Sequence, residues 1–81
     1  MDDKYRLENK NLIYRNLRSR RMAAGLSQSQ LAAKMRVWGV DMPQQSISRV
    51  ERNERYVLDY ELAVLCEILH VEPEELLEQN P

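Results

Sequence analysis

The four residues from Ser27 to Gln30 carry the side chains of a capping box, which fixes where a helix begins. The Ser27 hydroxyl is placed to accept from the backbone N–H of residue 30, and the Gln30 amide is placed to reach back to the Ser27 N–H. Leu26 and Leu31 stand at the spacing of a hydrophobic staple, which sets the angle at which the chain enters a helix. The sequence therefore predicts a helix that starts after Ser27.

A second short helix is predicted from Pro43 to Arg52. Pro43 suits its first helical position, because the missing N–H needs no partner there and the fixed φ is already helical. Ile47 and Val50 would point inward, and the other faces carry polar side chains of the types that contact base edges in the major groove. These candidate base-reading residues are Gln44, Gln45, Ser48 and Arg49. Residues of these types also suit an ordinary solvated surface.

The composition favours an all-α protein with a single domain. A chain of 81 residues has room for one modest core, and its 43% hydrophobic and 31% charged residues are typical of globular proteins. With only two Gly, no Phe and no alternating apolar runs, a β-sheet is not expected. Residues 1–10 are polar and are predicted to form a flexible N-terminal segment, whereas residues 11–78 form the domain.

Five helices are expected in all. The first covers about Asn11–Ala24, and the two helices described above follow it. The fourth has Asp59 as its N-cap and places Cys66 among the leucines of its apolar side. The fifth begins at Pro73 and is expected to bury two residues near its end, Leu76 and Leu77.

The compartment is predicted from what the sequence lacks. Its apolar runs are too short for a transmembrane helix or a signal peptide. The single cysteine, Cys66, has no partner for an internal disulfide. A soluble, cytoplasmic protein is therefore expected.

The charges are separated along the chain, although the net charge is only −1. Residues 1–55 contain all 12 Lys and Arg together with six acidic residues, whereas residues 56–81 contain seven acidic residues and no Lys or Arg. A basic region that coincides with the two short helices is the electrostatic surface that nucleic-acid binding requires. Chance clustering of solvated charges is the alternative.

Two charged residues fall on apolar helix faces. Arg21 shares a side of the first helix with Ile13 and Leu17, and Glu51 follows Ile47 by one helical turn. A buried charge without a partner costs several kcal/mol, on the order of 3 to 5. We therefore predict an ion pair between Arg21 and Glu51 that joins the first helix to the third, unless both residues are separately solvated.

The pattern formed by these residues resembles the Xre family of helix-turn-helix regulators, which includes phage repressors and Cro. The resemblance runs from about residue 11 to residue 77, and its main motifs are Leu26-Ser-Gln28, Leu31-Ala32, Gln44-Gln-Ser-Ile-Ser-Arg-Val-Glu51 and Asp59-Tyr-Glu-Leu62. It implies a compact, lambda-repressor-like bundle of five helices, in which helices 2 and 3 form the helix-turn-helix and helix 3 enters the major groove. It also implies that Gln28 contacts a phosphate, that Gln44, Gln45 and Arg49 face bases, and that Arg21 and Glu51 form a buried salt bridge.

The sequence departs from the family between helices 2 and 3. Arg36 stands where a turn glycine is expected, and about five extra residues precede helix 3, which suggests a long-turn variant. Helix 2 is therefore expected to continue through Arg36-Val-Trp38 and to stop at Gly39. Trp38 is interpreted as a hydrophobic plug for this corner, in preference to a residue that stacks on bases. His70 stands where Gly usually ends helix 4, and it is expected to act as a left-handed cap and not as a metal ligand.

The candidate phosphate contacts lie at the start of helix 2 and after helix 3. The N-terminus of helix 2 offers free backbone N–H groups together with polar side chains, which is the arrangement of an anion site. The loop after helix 3 would run beside the sugar-phosphate backbone. The residues proposed for this role are Gln28, Ser29, Arg52, Asn53 and Arg55. A solvated basic loop is the alternative.

The leading hypothesis is a transcriptional regulator, expected to be a repressor that binds a palindromic operator as a homodimer. The alternative is an antitoxin or another protein-interaction module that binds a protein through helices 4 and 5. One His, one Cys and no metal-ligand spacing give no basis for a catalytic triad or a zinc site. No enzymatic activity, metal, cofactor, small-molecule ligand or membrane partner is therefore expected.

Overall fold

The computed structural model describes residues 9–78, and five α-helices make up the regular structure in that range. They are α1 (Tyr14–Ala23), α2 (Gln28–Val37), α3 (Gln44–Glu51), α4 (Asp59–Leu69) and α5 (Pro73–Leu77). No strand occurs between residues 9 and 78, so the all-α, five-helix prediction is confirmed. None of these helices has the length and apolar character that crossing a membrane requires.

The predicted flexible segment, residues 1–10, falls for the most part outside the described residues. Only Asn9 and Lys10 belong to the described part, and both hydrogen-bond with Asn53. The first helix begins at Tyr14, three residues after the predicted start at Asn11. The reason is that the Asn11 side chain accepts a hydrogen bond from the Ile13 N–H at 3.0 Å, which makes a turn ahead of the helix.

The core is formed by one to three apolar side chains from every helix. α3 packs against α1 and α2, while α5 packs against α1 and α4. Each fully buried Leu, Ile, Val or Met side chain contributes about 1.5 to 3 kcal/mol by leaving water. The completely buried apolar residues are Leu17, Leu31, Met35, Ile47, Val50, Leu65 and Leu76. This shared core holds α3 in place from the inside and leaves its opposite face open to solvent.

Helix starts differ in how well the sequence predicts them. The capping box is present, with Gln30 N donating to Ser27 Oγ at 3.0 Å and Ser27 N donating to Gln30 Oε1 at 2.8 Å. Pro43 was expected at the first helical position, but its ψ of 166° is extended, so it is the N-cap and α3 begins one residue later. Asp59 was expected to be the N-cap of α4, but it is the first helical residue, and Leu58 is the cap.

The corner between α2 and α3 is long and comprises residues 38–43. α2 continues to Val37, Trp38 is its C-cap, and Gly39 has a φ of +83°, so the predicted extension and stop are present. The predicted plug is wrong, because Trp38 is 55% exposed. Val40 and Met42, which follow the glycine, are buried in its place. Their side chains turn inward once the positive φ of Gly39 has reversed the chain.

The end of α4 is capped by His70, whose φ of 56° and ψ of 46° are left-handed as predicted. Cys66 is buried in the core cluster, and burial raises the pKa of its thiol, with smaller contributions from nearby glutamates. In α5, Leu76 is buried as expected, but Leu77 is 39% exposed. Neighbouring residues on a helix point about 100° apart, so Leu77 is turned away from the core that Leu76 enters.

Candidate nucleic-acid interface

The solvent-facing side of α3 is polar. Ile47 and Val50 are buried, and with a helical period of 3.6 residues the positions opposite them are 45, 49 and 52. Gln45, Arg49 and Arg52 are all exposed, and Ser48, at the edge of this face, is half-buried. The structure therefore gathers the predicted base-reading side chains on and beside one open surface.

Along one side of α3, from Gln44 at its start to Glu51 at its end, a hydrogen-bonded chain of four side chains connects three helices. Arg21 on α1 donates from Nε to Glu51 Oε2 at 2.7 Å and from Nη2 to Glu51 Oε1 at 3.0 Å. Gln28 Nε2 on α2 donates to the same Oε1 at 3.1 Å, and Gln44 Nε2 donates to Gln28 Oε1 at 2.9 Å. The first residues of α2 and α3 are thereby fixed relative to each other.

Arg21 and Glu51 form the anchor of this chain. The Glu51 side chain is 4% exposed and that of Arg21 is 11% exposed, so water screens the pair little. The hydrogen bond to Glu51 raises the pKa of the Arg21 guanidinium, and Arg21 Nη1 also donates to the Leu26 carbonyl at 2.8 Å. A bidentate arginine–carboxylate contact fixes orientation as well as distance. α3 is therefore tied to α1 as well as packed against α2.

The start of α2 presents the features of an anion site. Ser29 is exposed and Gln28 is half-buried, and both lie in the first turn, where backbone N–H groups have no partner within the helix. Partial positive charge collects at such a helix end. Gln28 is placed between this end and Gln44, so it connects the candidate phosphate position with the candidate base-reading face.

The loop after α3 holds the other candidate phosphate residues, and their side chains have different surroundings. Arg52 is exposed, with Nη2 3.3 Å from Glu54 Oε1. Arg49 Nη2 lies 3.5 Å from the Glu54 carbonyl oxygen, so it too is near this loop. Solvent-exposed pairs of this kind are weak, and phosphate oxygens can replace the carboxylate as partner. Arg52 is thus the most available cation of the loop.

Arg55, by contrast, is part of a second bidentate ion pair. Its Nη1 and Nη2 donate to the two carboxylate oxygens of Glu61, both at 3.0 Å, and Glu61 is 2% exposed. Burial acts to raise the pKa of Glu61, but hydrogen bonds from Arg55 and from the Leu58 N–H outweigh it, and the pKa is lowered. Leu58 N donates at 2.9 Å, so the same carboxylate caps α4. The guanidinium is therefore engaged within the protein.

The Arg55–Glu61 pair was missed in the sequence. A signal for it exists, because Glu61 precedes Leu65 by four residues and so lies on the buried side of α4. The same argument identified Arg21 and Glu51. Glu61 also stands three residues after Leu58, which is where a carboxylate caps a helix start.

Asn53 is likewise engaged within the chain. Its backbone φ of +59° is left-handed, and its side-chain oxygen accepts from the N–H groups of Lys10 and Asn11 at 2.9 and 3.2 Å. The side-chain amide donates to Asn9 Oδ1 at 2.8 Å. These contacts of residues 9–11 were not predicted, since they join two segments that lack helical periodicity.

The charge separation seen in the sequence carries over to the helices. The described Lys and Arg residues all lie between residues 10 and 55, whereas α4 and α5 carry Asp and Glu and no Lys or Arg. Among residues 9–78, no three His, Cys, Asp or Glu side chains come together in a way that would hold a metal ion. The surface around the exposed face of α3 therefore provides hydrogen-bonding groups and positive charge.

Comparison with protein families matches the chain to a helix-turn-helix family model over residues 17–76. The matched range begins within α1 and ends within α5, so it contains all of α2, the lengthened corner and α3. Comparisons with curated proteins and with solved structures found no match.

Proposed function

Because the chain belongs to the Xre and lambda Cro-like family of helix-turn-helix DNA-binding regulators, we propose that it is a sequence-specific regulator of transcription that acts as a repressor. The observation that carries this proposal is the Gln44–Gln28 hydrogen bond, which ties the open face of α3 to the anion site of α2. A protein that reads bases with one side chain while holding a phosphate with its neighbour fixes its own register on the duplex.

Base reading is assigned to Gln44, Gln45, Ser48 and Arg49. Gln suits the N6 and N7 atoms of adenine, Arg suits O6 and N7 of guanine, and Ser is tolerant. Gln44 has its amide nitrogen on Gln28, so its carbonyl oxygen is directed by that bond. Gln45 and Arg49 are exposed and are proposed to make the more adaptable contacts.

Phosphate contacts are assigned first to Gln28 and Ser29 at the start of α2 and to Arg52 in the loop after α3. Arg52 is 59% exposed, whereas Arg55 is bound to Glu61 and the Asn53 side chain is bound to residues 9–11. For Arg55 and Asn53 we propose that any phosphate contact is secondary to holding the loop. Such contacts set affinity and register without reading sequence.

A homodimer on a palindromic operator is proposed as the binding form, with the two α3 helices about 34 Å apart in successive major grooves. Exposed apolar side chains after α3 and on α4 and α5 supply surface for contact between copies; they are Tyr56, Leu58, Tyr60 and Leu77. Repression follows because a bound dimer occupies DNA that other proteins need. The cytoplasm is proposed as the compartment in which the protein meets this DNA.

The same apolar surface favours the second candidate, a protein-interaction module or antitoxin that binds a protein through α4 and α5. Selection of bound sequences from random duplexes, followed by the mass of the complex, separates the two. An enriched palindrome bound by two copies supports the operator-binding dimer. If no motif is enriched and a protein partner binds at α4 and α5, the result supports the protein-interaction module.

A further inference from the structure

We propose that Asn11 and Asn53 form a clasp that positions the loop after α3 for DNA, so that residues 9–11 belong to the DNA-binding apparatus. The proposal rests on the proposed function and extends it to residues that contact no base and need contact no phosphate. Asn53 was a candidate phosphate ligand in the sequence, and the geometry points instead to a positioning role.

The first half of the clasp is the Asn53 side chain. Its Oδ1 accepts from two successive backbone N–H groups, those of Lys10 and Asn11, and its Nδ2 donates to Asn9 Oδ1. The left-handed φ of +59° is what turns this side chain back toward residues 9–11. Glycine would adopt the same backbone at no steric cost, so the backbone alone does not require Asn here.

The second half is the Asn11 side chain, which binds the loop at both ends. Its Nδ2 donates at 3.1 Å to the carbonyl of Val50, in the last turn of α3, and at 3.1 Å to the carbonyl of Arg55. The loop between these two carbonyls contains Arg52, the exposed cation assigned to phosphate. One amide thus fixes where the loop leaves α3 and where it turns toward α4.

A third contact closes the clasp from outside. Lys10 Nζ lies 3.4 Å from the Tyr56 hydroxyl and 5.0 Å from the centre of its ring, which places the ammonium toward the hydroxyl end of the ring. Residues 9–11 therefore meet the loop at Val50, Asn53, Arg55 and Tyr56 along its length.

The clasp matters for binding because a loop that is ordered beforehand does not lose conformational freedom when it meets DNA. None of these contacts reaches the buried side chains of α3, which are held by the core and by Arg21. Removing the clasp should therefore loosen the loop and Arg52 while the bundle stays folded.

The test compares two substitutions in the clasp with one matched control. Asn53→Gly removes the side chain, keeps the left-handed backbone unstrained and is the decisive variant. Asn11→Ala removes both carbonyl contacts and also the acceptor for the Ile13 N–H ahead of α1. The control is Asn16→Ala: Asn16 Nδ2 also donates to two distant carbonyls, those of Leu76 and Glu78, but at the α5 side of the bundle. Binding is measured on the duplex enriched by selection and on a scrambled duplex, at a temperature where circular dichroism shows every variant folded.

We expect Asn53→Gly and Asn11→Ala to weaken binding about five- to tenfold on both duplexes, comparable to one net hydrogen bond. The dependence of the binding constant on salt should become shallower, because Arg52 no longer holds its phosphate. Backbone amides of residues 52–56 should exchange faster with deuterium, whereas Asn16→Ala should leave affinity, salt dependence and these amides unchanged.

If the unchanged chain binds DNA, and Asn53→Gly and Asn16→Ala show the same affinity and salt slope as that chain, the clasp is overturned. If the unchanged chain bound neither duplex, the proposed function itself would fall, and the clasp with it. Whether the unchanged chain binds DNA therefore distinguishes the two failures.

Discussion

α3 and the loop that follows it are held by different kinds of structure. Along α3, Gln44 at its start is linked through Gln28 to Glu51 at its end, and Glu51 is bound by Arg21, so all four residues lie on helices. Beyond α3, the chain is held by Arg55–Glu61 and by residues 9–11, whose anchors lie mostly in loops. The comparison teaches that a short helix is held by bonds to neighbouring helices, whereas the loop after it is held mainly by polar bonds between connecting segments.

The largest effect is expected from breaking the Arg55–Glu61 ion pair beyond α3. Arg55→Ala leaves the 2%-exposed Glu61 carboxylate without its main partner, and such a loss costs about 3 to 5 kcal/mol of unfolding free energy. Urea denaturation followed by circular dichroism measures it. Arg52→Ala, which removes an exposed arginine from the same loop, is the matched control and should change stability by less than about 0.5 kcal/mol. Similar losses for both variants would show that the buried pair is not what holds this loop.

A smaller effect, on binding and not on folding, is expected on α3 itself. Replacing Arg49 or Gln44 with Ala should cost about 1 to 3 kcal/mol on the preferred duplex and relax its sequence preference. Gln44→Ala also removes the bond to Gln28, so its loss should be the larger of the two. Competition between preferred and scrambled duplexes gives the measurement. Unaltered discrimination in both variants would remove the base-reading role from this face.

Acid should weaken the contacts of the loop beyond α3 through Glu61. Because the folded-state pKa of Glu61 lies below its ordinary value, the carboxylate stabilises the fold above the unfolded pKa of about 4.3. That stabilisation is lost as pH falls through the lower, folded value. Glu61→Gln should be less stable than the unchanged chain at pH 7, and the difference should shrink on acidification. A difference that stayed constant from pH 7 to acid would contradict the assignment.

The smallest effect is expected from a single exposed cation. Arg52→Ala should weaken binding evenly on preferred and scrambled duplexes, and the slope of log K against log salt should fall by about 0.9 in magnitude. Titrations at several salt concentrations measure this slope. Ser29→Ala serves as a control for a neutral phosphate contact, because it alters affinity without removing charge. An unchanged slope for Arg52→Ala would take this residue off the phosphate surface.

The sequence predicts the contacts of α3 far better than those of the loop after it. Capping signals and helical period place Ser27, Arg21 and Glu51 without any knowledge of contacts, because each position follows from its distance to apolar neighbours. Glu61 lies on the buried side of α4 by the same helical period, but its ion pair with Arg55 was not predicted. The roles of Asn11 and Asn53 could not be predicted, since loop side chains find partners 39 to 44 residues away only after the helices have packed.

The error at Trp38 has a different origin. A large aromatic residue in a lengthened corner is more often buried than exposed, but Val40 and Met42 fill the space first. Which apolar residue fills a corner depends on where the backbone reverses, and Gly39 sets that point one residue after the indole. The sequence pattern alone does not show which apolar residue fills the corner.

Trp38 is also the single tryptophan of the chain, and it stands largely in water at the junction of α2 and α3. Its fluorescence in the folded protein should already resemble that of a solvated indole, so urea will move the emission maximum little. The intrinsic fluorophore is therefore a poor reporter of unfolding. It is a sensitive reporter of contact, because any molecule that covers the corner will shift the emission toward the blue.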